Sequence, residues 1–459
     1  MINVMDVLSE LLAKRWVTKE LFLFSHIENQ IPAVIRVTMA FLLPLVRNFF
    51  DKYGLSFLMV ASYFGSGSIF IASQAGVEFG YVLVWAVIGA VLLGFMAQDM
   101  SARLGIYGDN LMGFIRRKLG KKGALGVALF LSIGCVAWTL GLTAAVGKSI
   151  EILSDGALAW QPVAVATGIT AILVGILKYD HLEKVVTVMM FILLAIYLVV
   201  AGVSAPDLGE LAAGFVPSLG GFSTAEVMVM AAAILGTTAL WPNFFLESIL
   251  VKRKGWDSTE HLSPMRRDLA LGYTVGGLIT VAIIIVSAAI LRPAGITELS
   301  YFYEPGMALE QVLGTWAMIV FLIGVAAAAF NSIIPIMWTV PFMILEAIDH
   351  EQKEEGDPLF RIIYAGGILL GMFSPLVSYV TGMSVVEMVT MFPAFNGVFG
   401  LPVTAAFLFW AVNDRDTMTD EGVNDWRLNA VNIILVLFAT YVSINSAQGV
   451  LDNIFGGMF

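Results

Sequence analysis

What this sequence lacks narrows it first. It has a single cysteine, Cys135, so no internal disulfide framework can form. Cys135 falls inside an apolar run, where a free cysteine acts as a small buried hydrophobe. Four histidines are present (His26, His181, His261 and His350), all outside the apolar runs. No His/Cys cluster exists, which argues against a zinc or haem site and leaves no metal or cofactor to assign. Charged residues are only 13% of the chain, against roughly 25% in an ordinary soluble protein. The net charge of -10 argues against a nucleic-acid partner. Met1 to Lys19 is mixed and polar, without the apolar core of a cleavable signal. No catalytic constellation stands in or beside the apolar runs, so an enzyme is not expected.

What is abundant is apolar: 59% of 459 residues. The runs recur at about 18–25 residues, enough to cross a hydrocarbon core of about 30 Å. The expected fold class is an all-α polytopic membrane protein. Eleven spans are read near 55–76, 80–99, 124–152, 160–177, 184–204, 225–250, 269–291, 311–345, 360–380, 385–412 and 428–451. Residues 31–50 carry Arg36 and Arg47 and read as an interfacial helix, with a twelfth span as the alternative. Lys and Arg concentrate after the even spans, at Arg103, Arg116, Arg117, Lys118, Lys121 and Lys122, then Lys178 and Lys184. They recur at Lys252, Arg253, Lys254, Arg266 and Arg267, then Arg361, Arg415 and Arg427, while the other side offers only Arg292. The positive-inside rule then makes the N-terminus cytoplasmic and, with eleven spans, the C-terminus external. A prokaryotic inner membrane is the expected location, with the bilayer as one partner and a small solute as the other.

Two spans carry helix breakers at matching positions. Span one holds Gly65-Ser66-Gly67-Ser68, and span six holds Leu240-Trp241-Pro242-Asn243. Glycine costs a helix about 1 kcal/mol relative to alanine, serine competes for backbone hydrogen bonds, and proline removes one of them. Spans one and six open two five-helix halves, and an odd repeat puts the second half in inverted topology. Interrupted helices at matching places in such halves point to a midplane substrate site. Unwinding is expected across Gly65–Ser68 and Leu240–Asn243. The expected organisation is 1–54 as N-terminus with interfacial helix, 55–204 as the first repeat, 205–412 as external loop and second repeat, and 413–459 as helix eleven and tail.

Several motifs resemble the Nramp family of divalent-metal transporters. They are Gln74-Ala75-Gly76, Phe79-Gly80-Tyr81, Ser101-Ala102-Arg103-Leu104-Gly105-Ile106, Leu182-Glu183-Lys184-Val185-Val186, Leu235-Gly236-Thr237-Thr238, Ser248-Ile249-Leu250-Val251, Leu401-Pro402 and Asp414-Arg415. The resemblance implies the LeuT-like fold with eleven helices, two inverted five-helix repeats plus one. The departures fall at the metal site. Where the family carries Asp-Pro-Gly-Asn, this chain has Gly65-Ser66-Gly67-Ser68, without the carboxylate. Where the family carries Met-Pro-His-Asn, it has Leu240-Trp241-Pro242-Asn243, and only Asn243 matches. The acidic residues of the family's third helix are absent from Trp138 to Val146, and the ionisable group nearby is Lys148.

The candidate substrate site is therefore Gly65, Ser66, Gly67, Ser68, Thr238, Leu240, Trp241 and Asn243. Lys148, Glu247, Asn331 and Asn396 are candidate coupling or charge partners. For Lys148 the simpler alternative is pairing with Glu151 or snorkelling. For Glu247 it is pairing with Lys252 or a helix cap, and for the two asparagines interhelical hydrogen bonding. The Gly-Ser-Gly break also resembles that of amino-acid transporters of the amino acid–polyamine–organocation group, where helix N–H groups hold a carboxylate. The leading expectation is alternating-access transport of a small anionic or zwitterionic solute, such as bicarbonate, a small carboxylate or an amino acid. A proton or sodium is the candidate coupling ion. The alternatives are a largely hydrated divalent cation, magnesium or manganese, and a non-transporting sensor or scaffold with the same fold.

Overall fold

A computed structural model describes residues 64–177, 180–351, 356–420 and 422–455. The expected interfacial helix at 31–50, the first half of span one and Lys178 lie outside the described residues. The helices are α1 (Ser66–Phe79), α2 (Val84–Tyr107), α3 (Leu111–Leu153), α4 (Trp160–Leu177), α5 (Asp180–Val203) and α6 (Leu208–Ala213). They continue as α7 (Thr224–Thr238), α8 (Trp241–Arg253), α9 (Leu262–Val286), α10 (Glu304–Leu313) and α11 (Trp316–Ile348). The last are α12 (Pro358–Gly371), α13 (Ser374–Thr381), α14 (Val385–Val412) and α15 (Trp426–Phe455). Among the described residues, nine stretches are long and apolar enough to cross a bilayer. The order is that of the expected spans. The count of eleven rests partly on residues outside those described.

Local chemistry sets the boundaries. The Asn110 side chain accepts from the Gly113 amide at 2.8 Å and starts α3. Ser223 with Glu226, and Ser384 with Glu387, form capping boxes that start α7 and α14. The stretch after span two, expected as a loop, is mostly helix. Arg103 is buried within α2, and Arg116, Arg117 and Lys118 ride on the first turns of α3. Gly120, at φ +71°, bends α3 just after them. The stretch 205–224 contains α6, and α10 begins inside 292–310. In each case a polar segment too short or too charged to span still forms helix once capped or packed.

The bundle is densest where the site will lie. α3 packs along α11 and α14, and α7 lies against α14. The α7–α14 approach depends on Gly236 and Gly397. A Cβ on Gly236 would strike the Pro393 carbonyl, and one on Gly397 would strike the Ala232 carbonyl. Around this core the outward faces are apolar, with Ile133, Val199, Ile362, Leu370 and Ile434 exposed to the lipid.

Candidate functional site

The second break is present but shifted, and of the first the described residues show only its downstream edge, where α1 starts earlier than the sequence suggests. Gly65 is extended (φ -85°, ψ -177°) and caps α1, so Ser66, Gly67 and Ser68 form its first turn. These three residues are all buried, and packing offsets their weak helix preference. In the second half, α7 ends at Thr238. The break falls at Ala239 (ψ 63°) and Leu240 (ψ 99°), and Trp241–Asn243 open α8. The expected unwinding of Leu240–Asn243 thus shifts towards the N-terminus. Pro242 sits where its fixed φ suits a helix start and no N–H is needed.

A pocket lies between the start of α1 and the break at Ala239 and Leu240. α1 contributes Gly65, Ser66, Gly67 and Ser68, and the second break contributes Leu240. α3 supplies Trp138, Gly141 and Leu142, α7 supplies Thr237, and α11 supplies Ser332 and Ile336. Met388, Val389 and Pro393 of α14 close it. Among the described residues no carboxylate, imidazole or thiol lines it. Its polar edge consists of hydroxyls and backbone. Ser66 Oγ and Ser332 Oγ are buried without a hydrogen-bond partner, so each keeps unused capacity for a ligand. Gly65 is needed for space: a Cβ there would sit 3.0 Å from Ser332 Oγ and 3.2 Å from Leu142 Cδ2. Among the described residues no group of three His, Cys, Asp or Glu side chains could hold a metal.

The remaining candidates lie elsewhere. Thr238 is buried, but its neighbour Thr237 lines the pocket. Trp241 Nε1 donates to Asn396 Oδ1 at 3.0 Å, and Asn396 Nδ2 donates to the Gly134 and Phe392 carbonyls at 3.1 and 2.9 Å. Trp241 and Asn396 thus lock α8, α14 and α3 together behind the pocket. Asn243 is buried in the first turn of α8, outside the lining. Asn331 accepts from Thr187 Oγ1 at 3.2 Å, tying α11 to α5. Lys148 pairs with Glu151 at 2.5 Å near the end of α3 and does not line the pocket. Glu247 accepts from Gln98 Nε2 at 2.8 Å.

Sequence reasoning missed Ser332, Trp138 and the α14 wall. Asn331 drew attention as the more polar residue in an apolar span. One residue on, the helix has turned by about 100°, and it is Ser332 that faces the breaks.

At the basic end of the bundle the chemistry is opposite. Asp99 is held by Arg103 at 2.8 Å and by Arg266 at 2.7 Å. Arg103 also donates to the Gly422 carbonyl at 3.0 Å and to Asn424 at 2.6 Å. Arg116 pairs with Glu346 at 3.1 Å and with Asp349, Arg117 with Asp109, and Lys118 with Asp414 at 2.6 Å. Burial works to raise Asp109, but the Asn110 amide and the Arg117 guanidinium outweigh it and hold the carboxyl below its usual range. Burial likewise opposes Asp414, which Lys118 and Thr417 hold low.

Comparison with known proteins agrees with this geometry. The family profile described as "Natural resistance-associated macrophage protein-like" matches residues 56–448. A "Divalent metal cation transporter MntH" from Pectobacterium carotovorum is 27% identical over 285 residues, covering 61% of this chain and 68% of the relative. The protein of that name from Yersinia pestis (strain Pestoides F) is 28% identical over 295 residues, covering 63% and 71%. Among solved structures, the Eremococcus coleocola manganese transporter superposes with a TM-score of 0.73 at 17% identity, covering 90% of this chain and 89% of that one. A nucleobase-cation-symport-1 family transporter in a closed conformation gives 0.50 at 15% identity, covering 87% and 92%. The likeness to these structures establishes the LeuT-like fold and not the cargo.

Proposed function

Because this chain belongs to the Nramp family, we propose that it carries a divalent cation that keeps much of its water shell, by alternating access at the pocket between the two breaks. That it is a membrane transporter and not an enzyme follows from the family and its relatives. The cargo is the proposal. The names of the relatives, divalent metal cation transporters, favour a cation over the anion expected from sequence.

The observation that carries the reading is a pocket edged by neutral oxygens. A dehydrated transition metal needs several donors and usually an anionic one, and among the described residues no anionic side chain lines the pocket. A cation that stays hydrated needs only hydrogen-bond acceptors for its waters. Magnesium dehydrates reluctantly and suits such a site better than manganese. The halves 55–204 and 205–412 would act as the moving inverted repeats. The basic end would face the cytoplasm, with the N-terminus inside and the C-terminus outside, as the Lys/Arg distribution supports.

One observation favours the second reading, a small anion. α1 opens with no acidic residue in its first turn and a glycine N-cap that offers no side-chain acceptor, the setting in which a helix start attracts negative charge. Flux into proteoliposomes separates the two. Uptake of magnesium or manganese, with none of labelled bicarbonate, carboxylates or amino acids, is the expected result. The reverse pattern would overturn the cation reading.

A further inference from the structure

The α14 wall of the pocket carries an oxygen that helix chemistry leaves without its usual partner. α14 runs helically through two prolines, Pro393 and Pro402. A proline inside a helix has no N–H, so the carbonyl four residues earlier loses its donor. Pro393 frees the Val389 carbonyl in this way, and Pro402 frees that of Val398. A carbonyl freed at membrane depth has to find a donor elsewhere in the protein or face a polar cavity. The two prolines resolve this differently. Ser443 Oγ of α15 donates to the Val398 carbonyl. Among the described residues, no side chain and no amide outside α14 donates to the Val389 carbonyl.

Val389 and Pro393 both line the pocket, against the first turn of α1. A Cβ on Gly67 of that turn would lie 3.2 Å from the Val389 carbonyl oxygen and 3.1 Å from Pro393 Cγ. The absence of a side chain at Gly67 keeps this oxygen uncovered. In the same pocket Ser66 Oγ and Ser332 Oγ are buried without partners. A hydroxyl can donate or accept, whereas a carbonyl only accepts. The set therefore suits a ligand that brings positive charge or donors, such as a cation or the O–H groups of its water shell. A carboxylate or bicarbonate oxygen would meet the negative end of the carbonyl dipole.

We propose that Pro393 is a specificity-determining residue of the pocket: it frees the Val389 carbonyl, which accepts from the water shell of a divalent cation and disfavours anions. This inference rests on the cation reading above and deepens it by naming the acceptor that α14 supplies. Pro393 acts through Val389 and need not touch the cargo itself. Pro402 provides the comparison within one helix, because there the same chemistry ends in a bond to Ser443, and neither Pro402 nor Val398 lines the pocket.

The test measures magnesium uptake into proteoliposomes by the full chain. Pro393→Ala restores an N–H that pairs with the Val389 carbonyl and withdraws the acceptor. The half-saturating magnesium concentration should rise about five- to tenfold, with little change in maximal rate. Proline inside a helix is destabilising, so thermal unfolding of this variant should come at or above the temperature of the unaltered protein. Alanine also removes the ring, and a second variant separates the two effects. Lactic acid at position 393 forms a backbone ester with neither ring nor N–H, so the acceptor stays free and half-saturation should stay near that of the unaltered protein. Pro402→Ala should leave half-saturation unchanged. An unchanged value in Pro393→Ala, an ester variant as impaired as the alanine one, or an equal rise in Pro402→Ala would overturn the proposal and leave the cation reading standing. An unaltered protein that takes up labelled bicarbonate, carboxylates or amino acids but no divalent cation would sink the cation reading itself, and this proposal with it.

Discussion

The pocket at the helix breaks and the basic end of the bundle are built from opposite materials. The pocket is lined by hydroxyls, backbone and apolar side chains, with no charge. The basic end is laced with ion pairs that join α2 to α9, α3 to α11 and α3 to the turn after α14. The contrast assigns different work to each. On the proposed alternating-access reading, charges at the end would close the bundle through interactions that can be formed and broken as units. On the same reading a neutral pocket would hold its ligand through dipoles and shape and release it without separating fixed charges.

Adding a charge to the pocket tests that contrast most severely. Gly65→Asp places a carboxylate beside Ser332 and Leu142, where the Cβ is already crowded. Gly65→Asn imposes similar bulk without charge, so the pair isolates electrostatics. For a cation cargo, the Asp variant should retain about tenfold more magnesium flux than the Asn variant, an effect of roughly 1.4 kcal/mol. The anion reading expects the opposite order, since like charges in such a site cost several kcal/mol. Equal loss would mean that the position reports only space, and the charge argument would be dropped.

Removing a charge from the other region is the complementary test. Arg103 is 3% exposed and bonded to Asp99, Gly422 and Asn424. Arg103→Ala should destabilise by about 3 kcal/mol, the lower end for breaking a buried pair, because Arg266 still compensates Asp99. Thermal unfolding of the purified protein reads this directly. A change below about 0.5 kcal/mol would class the network with surface pairs.

A smaller effect should appear in the pocket hydroxyls. Ser332→Ala deletes a buried oxygen that has no partner. Stability should hold or rise slightly, by about 1 kcal/mol or less, while flux falls severalfold. Loss of stability with unchanged flux would make the hydroxyl structural.

How much of this was legible beforehand depends on what carried the signal. The spans were legible because apolar length must match the bilayer, and the breaks because Gly65–Ser68 and Pro242 violate helix chemistry locally. Their registers were not. Proline marks a helix start as well as a helix interruption, and only the packing of Ser66 to Ser68 shows that they are helical. The sequence offers Trp241 for the substrate site and Asn396 as a coupling partner, yet they bond to each other behind the pocket. Polarity in an apolar span says that a partner exists, not which one. From sequence Arg103 reads as loop charge, because burial of an arginine depends on Asp99 and Asn424, and Asn424 is far away in sequence. The resemblance to the Nramp family supplied the fold. The motif departures at Gly65 and Leu240 pointed towards an anion, whereas the named relatives favour a cation.

The smallest expected effect is in acid, and it sharpens the same contrast. Asp109 and Asp414 lie outside the spans, and both carboxyls are held below their usual value by their cationic partners. A depressed folded-state pKa contributes stability that is fully present above the unfolded value, about 4. That contribution is lost as pH falls below it, through the folded-state value. Thermal stability should therefore be level across neutral pH as far as these two groups are concerned and begin to fall below about pH 4. Asp414→Asn should flatten part of that fall, because Lys118 then has no titrating partner. The pocket lining contains no carboxylate or imidazole, so the crowding effect of Gly65→Asn should be the same on either side of the transition. Melting curves of the unaltered protein, Asp414→Asn and Gly65→Asn, recorded in steps from about pH 7 to pH 3, separate these outcomes. If Gly65→Asn changed the acid limb while Asp414→Asn left it intact, the acid-sensitive charges would belong near the pocket, and the division between a neutral site and a charged end would fail.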